Sequence, residues 1–208
     1  MHTLLKHYRD NGAVPRFHGN GFIQLQIAPD TRIHLWHADF PMMPNQNAYI
    51  HDHVWPLWSR VLLGRLTNRT YRLCSGIAAQ GKGVDAYYVG NDGPQDTPYD
   101  LDAPIFKTGE QRLYEGSAYY LPRFALHSSH RMDQNPVMTI MRKGVVEGNA
   151  KATIICPNGE KPYDAFQPET VFPEESLWGC LDNVFRALPW PTLDLIRSPD
   201  FHDVGPPL

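Results

Sequence analysis

Proline and glycine recur along the whole chain and divide it into short segments, which limits what it can fold into. Nineteen prolines and sixteen glycines fall among 208 residues. Such interruptions break long helices but suit short strands joined by turns. Because 42% of the residues are apolar, the chain can still form a hydrophobic core. The pattern therefore favours an all-β protein of about ten short strands over a helical bundle.

Alternation of apolar and polar residues predicts where the strands lie. Residues 22–28 and 32–38 alternate and flank Pro29-Asp30, which is typical of a hairpin turn. Further strands are predicted at 49–53, 58–63, 66–73, 105–107, 112–114, 118–121, 125–128, 137–142 and 152–155. Residues 75–104 are rich in Gly, Asp, Pro and Gln, and are expected to form a long excursion at the rim of a barrel.

The character of the chain changes after Cys156, where it becomes Pro-rich and acidic. We expect residues 1–156 to form a barrel with an N-terminal arm, and residues 157–208 to form an extension packed on it. One helix is predicted at 174–188, ended by Pro189, and a second short helix is considered over 192–196.

Charge and hydropathy exclude several classes of protein. The formal net charge is -3 with no basic run, so nucleic-acid binding is not predicted. No apolar run reaches membrane-spanning length and the N-terminus lacks a signal-peptide core, so a cytoplasmic protein without a membrane partner is expected. The three cysteines are widely spaced, which indicates neither a disulfide framework nor a thiolate zinc site.

Three histidines form the candidate metal site. His51 and His53 are two residues apart, so on a strand they point to the same face. A third, His127, follows Gly116 and Pro122. Three neutral imidazoles can hold one divalent ion and leave other coordination positions open. Because imidazole binds Fe(II), Zn, Ni, Mn and Cu, three histidine ligands do not identify the metal.

These residues resemble the two motifs of the cupins. His51-Asp52-His53 followed by Gly64 resembles the first motif, and Gly116, Pro122 and His127 resemble G-x5-P-x-G-x2-H, with Phe124 at the inner glycine. The resemblance covers about residues 22–145. It implies a double-stranded β-helix (jelly-roll) barrel, here with a C-terminal helical appendage, and a homodimer as a family-level expectation.

One departure narrows the resemblance. Where most cupins place a glutamate ligand, this chain has Leu57 and Trp58, and neither side chain binds metal. The remaining ligands are similar to the three-histidine subclass, and the run from Ile50 to Leu73 resembles the thiol dioxygenases. That resemblance implies an Fe(II) dioxygenase that acts on a small polar substrate with O2. Residues 54–63 lack the cysteine expected for a Cys–Tyr crosslink, so substrate specificity is not carried over.

Two other functions remain open on the same scaffold. A metal-dependent isomerase or lyase would use the ion as a Lewis acid. A non-enzymatic cupin would bind a small molecule or serve as an assembly subunit, because fold alone does not decide function.

Tyr49 and Arg69 are the candidate catalytic residues beside the metal. Tyr49 is two residues before His51 and shares its face, while Arg69 is one of three arginines, with Arg60 and Arg72, that could bind a substrate carboxylate. The ordinary alternatives are a packed tyrosine and solvated strand arginines. Asp52 points away from its neighbours and is expected to form a hydrogen bond outside the barrel.

Other histidines compete less well for the site. His130 lies three residues after His127 and therefore on the opposite strand face, and the proline spacing favours His127. His34 and His37 cannot share a face, so one of them could point into the barrel, but a hydrogen-bonded strand histidine is the simpler interpretation of each. Ser128 and Ser129 have no acid-base partner nearby in sequence, so a serine nucleophile is not predicted.

Overall fold

The computed structural model describes residues 1–40, 50–76, 83–90, 93–146, 150–162 and 172–199. The helices are α1 (Thr3–Asp10), α2 (Glu174–Ala187) and α3 (Trp190–Arg197). The strands are β1 (Pro15–His18), β2 (Phe22–Gln26), β3 (Thr31–Trp36), β4 (Ile50–His51), β5 (Leu57–Leu63), β6 (Arg65–Leu73), β7 (Val84–Gly90), β8 (Gly93–Pro94), β9 (Asp100–Ala103), β10 (Ile105–Tyr114), β11 (Ala118–Leu121), β12 (His127–Arg131), β13 (Val137–Lys143) and β14 (Ala152–Pro157).

The strands form two antiparallel sheets that face each other. One has six strands in the order β1-β2-β3-β13-β5-β11, and the other follows β10-β6-β12-β4-β14-β7-β8, with β9 paired to β7. Apolar side chains from both sheets meet between them, including Phe22, Trp36 and Val61 from the first and Leu66 and Leu113 from the second. The predicted all-β jelly-roll barrel with a C-terminal helical part is thereby confirmed.

The largest apolar cluster lies outside the barrel, between the six-stranded sheet and the helices. Ile33 and Leu35 of β3 are fully buried there together with Leu181 and Phe185 of α2. Side chains alternate along a strand, so the polar residues between them point to the barrel interior. The helices thus cover Ile33 and Leu35 on the outer face of β3, while Arg32, His34 and Trp36 lie on its inner face.

Gly64 connects the two sheets between β5 and β6. Its φ is +79°, and a Cβ at this position would lie 2.4 Å from the carbonyl oxygen of Pro136. Both the backbone conformation and the space therefore require glycine. This gives a physical reason for the glycine that follows the first motif.

Several element boundaries differ from the predictions. The strand predicted at 125–128 begins only at His127, and the strand predicted at 49–53 ends at His51, so Asp52 and His53 lie beyond it. β1 was not predicted. Two strands were predicted at 105–107 and 112–114, but residues 105–114 form one strand, with a bulge between Lys107 and Gly109. Two helices occupy the extension where one was predicted with a second only considered.

The described part of the segment 75–104 contains the strands β7, β8 and β9. Its strand β7 pairs with β14 over six residues, from Ala152↔Val89 to Pro157↔Val84, and extends the eight-stranded sheet. Tyr87 is buried, and its hydroxyl donates to the carbonyl oxygen of Glu160. No helix among the described residues is long and apolar enough to cross a membrane.

Candidate metal centre

The structure brings His51, His53 and His127 together inside the barrel. Their imidazole nitrogens that could act as ligands all lie within 4.8 Å of one another. The ring centroid of His51 lies 4.9 Å from that of His53 and 4.6 Å from that of His127. The centroids of His53 and His127 are 5.2 Å apart. The arrangement can present three nitrogen lone pairs to one ion.

His127 is held in the form that a metal ligand requires. Its Nδ1 is 2.9 Å from the carbonyl oxygen of Ala125, an oxygen that can only accept, so Nδ1 carries the proton. Nε2 is then the unprotonated nitrogen. Burial lowers the pKa of His127 to about 4, and also lowers the pKa of His53 well below its usual value. Both rings are therefore neutral near pH 7.

His53 is fixed from two sides. Its ring stacks on Trp55, with centroids 4.0 Å apart and an interplanar angle of 10°. The backbone N–H of Phe124 donates to the carbonyl oxygen of His53 at 2.8 Å. Phe124 occupies the inner glycine position of the second motif, and its φ of +61° is the left-handed conformation that favours glycine. A non-glycine residue therefore holds this left-handed backbone conformation next to His53.

Asp52 lies between two candidate ligands and points away from them. The backbone N–H of Thr153 donates to its Oδ1 at 2.7 Å, and its own N–H donates to the carbonyl oxygen of Thr153 at 3.0 Å. Burial raises the pKa of Asp52 to about 6. This reciprocal pair joins the histidine segment to β14, as expected for a residue outside the ligand set.

A cavity of about 60 Å³ adjoins the three histidines. It is narrow for an organic ligand, since about 10–15 Å³ holds one water molecule. Its described lining is rich in hydrogen-bonding side chains and contains no aspartate or glutamate: His18, Asn20, Phe22, Arg32, His34, Trp36, His51, His53, Leu57, Ser59, Tyr119, His127, Ser129, His130 and Met141.

Arg32, His34 and His18 are cavity residues that the sequence did not identify as site residues. Arg32 and His34 are two residues apart on β3, so they share one face. Arg32 Nε and His34 Nε2 are inaccessible to solvent and have no hydrogen-bond partner among the described residues. The alternation of β3 contained the signal, but it is equally typical of a strand whose polar face is exposed.

His18 forms the third member of this wall. Its ring stacks on Phe22, with centroids 4.5 Å apart, and its Nδ1 accepts from the backbone N–H of Asn20 at 3.2 Å. The neutral ring therefore carries its proton on Nε2. Burial lowers the pKa of His18 to about 3.

Arg69, one of the two predicted catalytic residues, is not in the described cavity lining. Arg69 is a surface residue whose Nε donates to Glu110 Oε2 at 2.9 Å, with 42% of its side chain exposed. Arg32 of β3 is the arginine in the described cavity lining. Tyr49 lies outside the described residues. Tyr119 is a tyrosine that lines the cavity, and burial raises its pKa.

Among the described residues, His130 and His37 are outside the group of three histidines, although His130 also lines the cavity. His130 Nε2 lies 2.9 Å from Ser128 Oγ. Ser128 thus has a histidine partner that sequence reasoning missed, but its side chain is fully buried. His37 is 3.5 Å from Asp39 and is not among the lining residues described.

Comparisons with known proteins give only remote structural likeness. No family model matches the chain, and no curated protein matches it. The solved structure of Drosophila melanogaster CENP-C bound to CAL1 has a TM-score of 0.38 and 12% identity, and that of the Drosophila melanogaster CENP-C cupin domain has a TM-score of 0.36 and 10% identity. Each match covers 64% of this chain. It covers 78% of the CAL1-bound CENP-C chain and 77% of the CENP-C cupin-domain chain.

A third solved structure is hydroquinone 1,2-dioxygenase from Sphingomonas sp. TTNP3 with 4-hydroxybenzoate bound. It has a TM-score of 0.32 and 12% identity. The match covers 57% of this chain and 63% of the dioxygenase chain. At TM-scores below 0.5, none of these likenesses carries a conclusion about the function of this chain.

Proposed function

We propose that the chain binds one divalent metal ion through His51, His53 and His127 and is an Fe(II)-dependent dioxygenase for a small polar substrate. The observation that carries the proposal is the convergence of three imidazole nitrogens within 4.8 Å inside the barrel. The Nδ1–H of His127 is already directed to a backbone carbonyl, which leaves Nε2 for the ion.

An Fe(II) ion there would supply redox chemistry and open coordination positions for O2 and substrate. The protein's part is to hold three neutral imidazoles in place. Because these ligands bring no negative charge, the ion keeps its full 2+ charge, and an anionic substrate group is favoured beside it.

The remaining polar residues of the cavity are suited to orient the substrate. Arg32 offers N–H donors that match a carboxylate, and Tyr119 offers a phenolic hydroxyl that burial keeps protonated. Phe22, Trp36, Leu57 and Met141 form the apolar part of the lining and limit the access of water. The small volume of about 60 Å³ favours a compact acid over a large aromatic substrate.

Oxygen uptake by the Fe(II)-loaded protein tests the proposal. Small thiols, amino acids and diketones are supplied in turn while O2 is followed with an electrode. We expect uptake that depends on one substrate class, that is lost in His53→Ala and that persists in His37→Ala, because His37 is outside the described lining.

Other outcomes would replace the dioxygenase. Substrate conversion with zinc or nickel and without O2 would favour an isomerase or lyase. Small-molecule binding that survives His51→Ala in protein without metal would favour a non-enzymatic binding module.

A further inference from the structure

Arg32 places a positive charge in a cavity whose described lining offers no acidic partner. Burial lowers the pKa of Arg32 only to about 10, so the guanidinium remains charged near pH 7. The guanidinium carbon of Arg32 lies 5.2 Å from the centroid of the Trp55 ring, and Lys143 Nζ lies 5.5 Å from the same centroid. A second cation therefore adjoins the first.

Metal binding would add two further positive charges to the same cavity. The three histidine ligands are neutral and cannot offset them, and no carboxylate lines the described cavity. Like charges repel strongly where water is excluded. The polar wall on the opposite side consists of nitrogen groups, with Arg32 Nε and His34 Nε2 lacking hydrogen-bond partners among the described residues.

We propose that the cavity binds its metal ion and a small anion as a coupled pair, with the anion held between the ion and Arg32. This inference rests on the proposed metal site and adds a charge requirement to it. An anion there would neutralise part of the combined charge and accept hydrogen bonds from Arg32 and from neutral His34. A compact carboxylate fits the donor set and the volume.

The coupling has a signature that a purely structural arginine lacks. Each partner must strengthen the binding of the other by the same factor, because linkage is reciprocal. Removal of the Arg32 charge should also strengthen metal binding when no anion is present, since it removes the repulsion. Most cavity substitutions would weaken binding instead.

Calorimetric titration of metal-free protein with Co(II) tests this, with formate as the probe anion. In wild-type protein we expect formate to tighten Co(II) binding about tenfold, within the usual range of coupling between sites. Arg32→Met should bind Co(II) more tightly than wild type without formate and should respond to formate less than about twofold. Arg32→Lys, which keeps the charge, should retain much of the response.

Arg142→Met is the matched control. Arg142 lies on β13 with an exposed side chain that pairs with Asp30, so its loss should leave both titrations as in wild type. Formate titration of wild-type protein, with and without Co(II), must give the same coupling factor. That measurement needs no variant and keeps the test valid if Arg32→Met fails to fold.

The outcomes separate this inference from the metal proposal. The coupling would be overturned if Co(II) bound equally well with and without formate, and equally well to wild type and Arg32→Met. That result would leave the proposed metal site unaffected. Absence of Co(II) binding in both buffers would overturn both.

Discussion

His51 and His127 lie directly opposite each other in the antiparallel pair of β4 and β12. Their ring centroids are 4.6 Å apart. β4 is only two residues long, yet His51 is also opposite Ile154 of β14, so the strand is paired on both sides. Opposed residues of a sheet share a face, and the backbone ladder therefore sets the spacing of these two candidate ligands.

Gly64→Ala should destabilise the protein severely. The new Cβ would clash with the Pro136 carbonyl oxygen, and the alanine backbone would have to keep an unfavourable positive φ. We expect the free energy of unfolding to fall by about 3 kcal/mol or more, measured by denaturant titration. Gly116→Ala is the control, because its φ is +85° but nothing lies within 4 Å of its Cβ position. It should cost only about 1–2 kcal/mol. Equal losses would contradict a steric role for Gly64.

Phe124→Gly should stabilise the protein, although it deletes a large side chain. Phe124 has a φ of +61° and is 45% exposed, so relief of backbone strain outweighs the modest loss of packing. After the entropic cost of glycine, the expected gain is about 0.5–1 kcal/mol in the free energy of unfolding. Phe124→Ala keeps the Cβ and should bring no gain. A gain of the same size in the alanine variant would argue that the side chain, and not the backbone, is responsible.

Stability of the metal-free protein should fall in acid. Histidines in the unfolded state take up protons near about pH 6.5. In the folded state, His18 stays neutral down to about pH 3 and His127 down to about pH 4. Between these values the unfolded state binds more protons, so the free energy of unfolding decreases as pH falls below about 6.5. Each such histidine contributes about 1.4 kcal/mol per pH unit within that window. Denaturant titrations at several pH values would measure the slope, and His18→Asn should reduce it. Equal stability at pH 7 and pH 4.5 would contradict neutral buried rings.

The candidate ligands could be predicted from sequence because their signals are local. A spacing of two places His51 and His53 on one face, and the glycine and proline before His127 mark a turn at a fixed distance from it. The offset of three favours His127 over His130, and His130 is outside the group of three histidines although it lines the same cavity. None of these inferences requires knowledge of what covers each sheet.

The opposite wall of the cavity could not be predicted in this way. An alternating strand such as β3 has one polar face, and single-sequence reasoning assigns that face to solvent. Here α2 covers the apolar face of β3, with Leu181 and Phe185 against Ile33 and Leu35. Arg32 and His34 are thereby turned inward. Only the tertiary position of a helix about 150 residues later in the chain decides this, while Arg69 on β6 is left at the surface.

Elemental analysis of protein prepared without chelators or added metal tests the metal site most directly. We predict about one divalent ion per chain in wild-type protein, with iron as the favoured metal, and loss of that ion in His127→Ala. His37→Ala should retain it, since His37 pairs with Asp39 outside the described lining. Metal-free wild-type protein that also fails to take up Fe(II) or Co(II) would contradict the account, as would an ion that persists after His127→Ala.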